Sequence, residues 1–162
     1  MDTWQPAWIG VGSNLEDPRA QVLAAFGRLK QLPRSRLVST SRLYRSRPFG
    51  PVAQPDFVNA VAGVLTQLDP PALLKELRAI EVSMGRPERH EHWGPRIIDL
   101  DLLAWGCERR SDARLTLPHP GIVERNFVLY PLAEIAPDLE LSGLGRVADL
   151  AAAVTSEGIT QL

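Results

Sequence analysis

GRPERHEHWGPR (residues 85–96) runs straight into IIDLDLLAW (residues 97–105), and in the second stretch the fold becomes readable. Ile98, Leu100 and Leu102 alternate with Asp99 and Asp101, the period of two that marks a strand with one apolar face. If the apolar face lies on a core, the opposite face is left for ligands and both carboxylates are exposed. With about 3.3 Å of rise per residue the aspartate Cα atoms lie roughly 6–7 Å apart, near enough to share one hard cation or hold two. Aspartate is depleted from strands and like charges on one face repel; a cation relieves that repulsion. The plain alternative is the solvent side of an amphipathic strand.

Upstream, Asp69-Pro70-Pro71 starts a helix with Leu73, Leu77, Ile80 and Met84 at helical spacing and Gly85 at its C-terminal cap. Phe57–Thr66 and Leu37–Arg45 read as strands flanking a loop from Ser46 to Asp56. Before them, Ala7–Gly12 is a short apolar strand, and Asp17-Pro18 opens a helix to about Leu32 whose stripe is Val22, Phe26 and Leu29. Past Trp105, Thr116–Pro120 makes a rigid turn, and short helices are expected over Asn126–Leu132 and Asp149–Val154. The order β-α-β-β-α-β predicts a ferredoxin-like α/β sandwich, a mainly antiparallel sheet with helices packed on it and a third layer from the extra helices. At 162 residues one domain, 1–162, is expected.

Composition narrows the function. A formal net charge of −1 supplies no general polyanion-binding field, so nucleic acid is not an expected partner and any basic site must be a local cluster. Of the 18 Lys and Arg, only Lys30 and Lys75 are lysine. A lone cysteine, Cys107, excludes an internal disulfide. MDTWQPAW has no basic-then-apolar leader pattern, and no run approaches the roughly 18 apolar residues of a membrane span. The expectation is a soluble cytoplasmic protein with no membrane partner.

Several motifs admit two readings. Gly10-Val11-Gly12-Ser13-Asn14 invites a dinucleotide-binding turn, but a third glycine and the downstream acidic residue are missing, and a tight strand-to-helix turn is favoured. No phosphate-binding GxxxxGK[ST] occurs. Arg86, Arg89 and Arg96 surround Trp93-Gly94-Pro95, either as a solvated loop or as forks for phosphate beside an aromatic that stacks on a flat ligand. Glu81 reads as an exposed helix residue unless it faces the site. His90, His92 and His119 lack a neighbouring cysteine, which argues against zinc; His119, between two prolines, is a phosphate contact or a structural turn residue. Phe57 and Phe127 are core residues or stacking platforms, and Asn59, on the same strand face as Phe57, can bond the edge of a heterocycle.

IGVGSNL (9–15), LYRSRPFG (43–50), QPDFVNAV (54–61), IEVSMGR (80–86), HWGPRIIDLDLL (92–103), LTLPHP (115–120) and RNFVLYPLAEIAPDL (125–139) together resemble the 6-hydroxymethyl-7,8-dihydropterin pyrophosphokinase family of folate biosynthesis. The resemblance implies a ferredoxin-like fold and transfer of a pyrophosphoryl group from ATP to the pterin hydroxymethyl oxygen, with AMP released. It further implies that Asp99 and Asp101 hold two Mg²⁺ ions, and that Arg86 and Arg96 act with them in catalysis. Arg96, His119, Arg86, Arg89 and Arg125 would grip the triphosphate; Leu102, Arg114 and Thr116 would surround adenine and ribose; Arg78, Glu81 and Trp93 would border the nucleotide. Phe57 and Phe127 would sandwich the pterin, with Ser46, Arg47, Phe49, Asn59, Trp93 and Asp99 around it. Glu88 stands where many members carry a second loop arginine, so Arg86 and Arg89 both remain open for that role. The Ser46–Asp56 and Gly85–Pro95 loops would close over the site, and a monomer is implied. A non-catalytic ferredoxin-like binding module and a pterin aldolase needing neither nucleotide nor magnesium are the alternatives.

Overall fold

The chain runs β1 (Gln5–Ser13), α1 (Pro18–Leu29), β2 (Ser35–Thr40), β3 (Tyr44–Ser46), β4 (Phe57–Thr66), α2 (Pro70–Ser83) and β5 (Asp99–Trp105). It continues through β6 (Arg110–Ser111), β7 (Thr116–Leu117), a 3-10 turn at Ile122–Glu124, α3 (Asn126–Ile135), β8 (Glu140–Leu141), β9 (Gly145–Arg146), α4 (Val147–Ala153) and β10 (Ile159–Gln161). The structure, a computed structural model, describes residues 3–48, 50–86 and 95–162. Helices α1 and α2 begin alike: Asp17 and Asp69 accept hydrogen bonds from the backbone of Ala20 and Ala72, and each is followed by proline at the start of the helix. Gly85 adopts φ 99°, which only glycine reaches without strain, and stops α2.

The main sheet is antiparallel in the order β10-β3-β4-β1-β5, with β2 also paired to β4. β4 thus lies between β1 and the β2/β3 pair, and β1 between β4 and β5, the interleaving of a ferredoxin-like sandwich. Alternation sends Ala7, Ile9 and Val11 with Val58, Ala60, Ala62, Val64, Leu100 and Leu102 to one face, where Val22, Ala25, Phe26 and Leu29 of α1 and Leu73 and Leu77 of α2 cover them. Val61 and Leu103 point the other way, into a second core closed by Val128, Leu129 and Leu132 of α3 and Val147 of α4. Two helical layers on one sheet give the three-layer architecture.

This second core corrects the view that the aspartate face of β5 is free. Leu103 is 1% exposed on that face, so only the half of the strand carrying Asp99 and Asp101 is left open. Other boundaries shift for local reasons. α1 ends at Leu29 rather than Leu32, its last turns tightening through the Gln31 and Leu32 amides onto the carbonyls of Arg28 and Leu29. The expected strand Leu37–Arg45 is two strands, because the Ser41 hydroxyl accepts the Val61 amide that continuous pairing would have used. β5 starts at Asp99, not Ile97, and the expected Thr116–Pro120 turn contributes Thr116–Leu117 to a two-residue ladder with Arg110–Ser111. α3 continues past Leu132 to Ile135 and α4 spans Val147–Ala153. Among the described residues no helix is long and apolar enough to cross a membrane.

Candidate active site

The register of three strands builds the floor. Gly12 of β1 lies opposite Asn59 of β4 on one side and Asp99 of β5 on the other, and Gly10 lies opposite Asp101. With strands about 4.8 Å apart, Asn59 and Asp99 sit in one row roughly 10 Å from each other. Gly12 keeps the row open: a Cβ there would come 2.7 Å from the Asn59 side-chain oxygen. The glycines expected in a strand-to-helix turn are therefore floor residues inside β1, and the turn itself starts at Asn14.

A hollow of about 400 Å³ opens above this row. From β3 and β4 it receives Ser46, Phe57 and Asn59, with Arg47 just beyond β3; from β5 and its approach, Arg96, Asp99 and Asp101; and from the start of α3, Arg125 and Phe127. Arg78, Arg86 and His119 complete the basic part. A smaller hollow of about 240 Å³ shares Arg78, Asp101 and His119 and adds Leu74, Leu102, Arg114 and Thr116. Phe57 and Phe127 are half-buried on the wall rather than sealed in a core. The Leu102 side chain belongs to the first core and is 2% exposed, so it offers the second hollow little more than an edge. Phe49, Arg89 and Trp93, together with His90 and His92, lie outside the described residues.

Beneath the basic wall sits Glu81, which is not exposed as expected but 3% accessible. One oxygen accepts from Arg78 Nη1; the other accepts from Arg86 Nη1 at 2.6 Å and from the Leu100 amide at 2.8 Å. Arg86 donates also to Asp99 Oδ1 at 2.8 Å, and Arg78 to the Leu100 carbonyl at 2.9 Å. A buried carboxylate with charged and backbone partners fixes both guanidinium groups against β5. In the sequence Glu81 carries no sign of this; only the packing of α2 on β5 turns it inward. Arg96 is held by its backbone, its amide donating to Asn14 Oδ1 at 2.8 Å and its carbonyl accepting the Asn14 amide at 3.0 Å. Its Nε is buried without a hydrogen-bond partner among the described residues, a donor awaiting an acceptor.

At the pterin-facing side named by the resemblance, Asn59 is 7% exposed and its amide donates to Ser46 Oγ at 2.6 Å. His119 bridges the two hollows. Its Nδ1 accepts the Gly121 amide at 3.1 Å, which leaves the ring proton on Nε2. Burial, then the charge of Arg125, lowers its pKa to about 4, so the imidazole is neutral near pH 7. The Asp101 carboxyl is pushed up to about 7 by burial and by Asp99, against the pull of Arg78 and Arg125. Asp99 has Arg86 as counter-charge at 2.8 Å, whereas Asp101 has no ion-pair partner among the described residues. Asp101 is therefore the carboxylate that a divalent cation would most change. Among the described residues no cluster of three or more acidic, His or Cys side chains surrounds a cation position, and what these residues offer a cation is the two carboxylates of β5.

Residues 8–137 match the family described as 7,8-dihydro-6-hydroxymethylpterin-pyrophosphokinase. The 2-amino-4-hydroxy-6-hydroxymethyldihydropteridine pyrophosphokinase of Pseudomonas aeruginosa is 47% identical over 158 residues, 98% of this chain and 97% of that one. Its counterpart of the same name in Haemophilus influenzae is 46% identical over 144 residues, 89% of each chain. Among solved structures, wild-type Plasmodium falciparum HPPK-DHPS with pteroate aligns with a TM-score of 0.74 at 15% identity, over 94% of this chain and 42% of that one. That likeness is one of fold.

Proposed function

We propose a reaction from the premise that this chain belongs to the 7,8-dihydro-6-hydroxymethylpterin-pyrophosphokinase family: it transfers the pyrophosphoryl group of ATP to 6-hydroxymethyl-7,8-dihydropterin in folate biosynthesis. The pterin hydroxymethyl oxygen attacks the β-phosphorus, the bond from that phosphorus to the AMP oxygen breaks, and the hydroxyl proton is lost. The observation that carries this reading is two adjoining hollows, one walled by Phe57 and Phe127, that share Arg78, Asp101 and His119. A flat heterocycle fits between the rings while Asn59 and Ser46 address its edge. The triphosphate then lies along Arg86, Arg96, Arg125 and His119, with Arg78 and Glu81 bordering the nucleotide and Leu102, Arg114 and Thr116 around its base and sugar. Arg47 and Asp99 complete the pterin side, and Phe49, Arg89 and Trp93 are assigned to the same cleft on the resemblance alone.

Asp99 and Asp101 fit magnesium. Both are hard oxygen donors, and an ion that keeps several waters and takes substrate phosphates needs only one or two carboxylates. Bound there as a pair, Mg²⁺ ions would neutralise phosphate charge and align nucleophile with leaving group. The chain's own groups do the rest. The guanidinium groups meet charge on the moving phosphoryl oxygens, and His119 donates its Nε2 proton as a hydrogen bond without giving it up, since the ring stays neutral. Positioning matters more here than a strong base, and the two carboxylates lining the hollow, Asp99 and Asp101, are assigned to the cation rather than to proton abstraction. A monomer acting in the cytoplasm is proposed on the family resemblance.

ATP labelled at the β-phosphate is the test: label appears in the pterin pyrophosphate and AMP forms in equal amount. ADP as the stoichiometric product, or ATP consumption independent of the pterin, overturns the reading.

A further inference from the structure

The last residues of the chain, beyond the 8–137 span of the family match, tie together two walls of the hollow. Asn126 is the first residue of α3 and lies between Arg125 and Phe127, both on the wall. Its side-chain amide turns away from them and donates to the carbonyls of Thr155 and Glu157 at 2.9 and 3.0 Å. One residue on, the Gly158 carbonyl accepts the Arg47 amide at 3.2 Å, and β10 then pairs with β3, Ile159 opposite Ser46 and Gln161 opposite Tyr44. The Leu162 amide closes the ladder on the Leu43 carbonyl at 2.9 Å.

At its other end α3 reaches β3 directly. Glu134 accepts the Tyr44 hydroxyl at 2.8 Å and the Arg42 amide at 3.0 Å. Beyond the packing of Val128, Leu129 and Leu132 on the sheet, α3 is thus tied to β3 by polar contacts at two points, directly through Glu134 and by a relay through residues 155–158 near Ser46 and Phe127. Phe57 moves with the β3 wall, because Ser46 pairs with it in the sheet.

We propose that Asn126 is a positioning residue which, through the C-terminal segment, sets the spacing between the α3 wall carrying Phe127 and the β3/β4 wall carrying Ser46 and Phe57, and so tunes capture of the pterin rather than of the nucleotide. The inference rests on the pterin reading of this end of the hollow. Loss of the tie lets the walls drift apart, so the stack must be re-formed on each binding event, which weakens binding. Asp99, Asp101, Arg78, Arg86 and Arg96 lie outside these two walls and are left in place; of the phosphate-side arginines only Arg125 shares the α3 wall.

Two variants of the intact chain separate positioning from stability. Asn126→Ala removes the amide. Asn126→Asp keeps its shape and places negative charge at a helix N-terminus, where charge of that sign is favourable, yet it sets acceptors against two carbonyls. Losing both hydrogen bonds should raise KM for the pterin about tenfold in either variant. Turnover at saturating pterin and Kd for a non-hydrolysable ATP analogue should stay near those of the unaltered chain. Unchanged pterin KM overturns the proposal, as does an equal loss of nucleotide affinity or a KM rise that merely follows a fall in melting temperature. An unaltered chain that fails to turn over the pterin counts against the function itself, not against Asn126.

Discussion

Asp99 and Asp101 differ although they lie two residues apart on one face. Asp99 has Arg86 as a neighbour at 2.8 Å, while burial and Asp99 itself push Asp101 up to about 7. If the pair holds magnesium, Asp99→Ala and Asp101→Ala should each remain folded and lose roughly 10²-fold or more in kcat, about 3 kcal/mol of transition-state stabilisation. Steady-state kinetics beside a circular dichroism spectrum reads this, and near-normal turnover at either position sinks the metal role of that residue. The raised Asp101 pKa adds a pH signature. A cation favours the carboxylate, so its binding must expel the proton that Asp101 holds below about pH 7, and affinity should fall as pH drops through that value. Calorimetry of Mg²⁺ binding at pH 6 in buffers of different ionisation heat should show proton release, and that release should vanish in Asp101→Asn. Identical heats in all buffers would contradict the assignment.

At the scale of elements, the junction of α2 with β5 carries the most consequence. α2 presents Leu73 and Leu77 to the first core, and the same helix turns Glu81 onto the Leu100 amide and two arginines. Replacing Glu81 by Ala leaves the Leu100 amide unsatisfied and the 13% exposed Arg86 without one of its carboxylates. The expected cost is about 3 kcal/mol, the low end for breaking a buried pair, because Arg78 is half exposed and Arg86 keeps Asp99. The urea midpoint of the unliganded protein measures it; a loss below about 1 kcal/mol would mean that α2 is held by its apolar stripe alone. Activity should fall too, since both arginines lose the anchor that aims them.

Taken whole, the molecule places its site where three layers meet: α2 brings Arg78, the sheet brings Asn59 and the aspartates, and α3 brings Phe127. A ligand in the cleft therefore bridges layers that must separate on unfolding. A non-hydrolysable ATP analogue with Mg²⁺ at 100 times its Kd should raise unfolding free energy by about 2.7 kcal/mol, with a further rise when pterin is added. Unfolding midpoints that do not respond to nucleotide would show that the cleft does not hold it. Much of this arrangement is determined by sequence alone. Period-two alternation in Ile98–Leu102 fixes which side chains share a face, Asp17-Pro18 and Asp69-Pro70 start the helices, and Gly85 stops α2, because dihedral preference and side-chain spacing are local properties. The grouping of arginines, aspartates, Phe57, Asn59 and Phe127 into one site was implied by the family resemblance, whereas the residues alone left the two phenylalanines open between core and wall. Only the tertiary structure decided the rest. Gly12 became floor because β4 and β5 pair on either side of β1; Glu81 became buried because α2 packs with that face down; and Ile159–Gln161 became a strand because β3 offers an unpaired edge. Each depends on a partner distant in the chain, and what a residue meets across a sheet or beneath a helix is set by packing that no local pattern encodes.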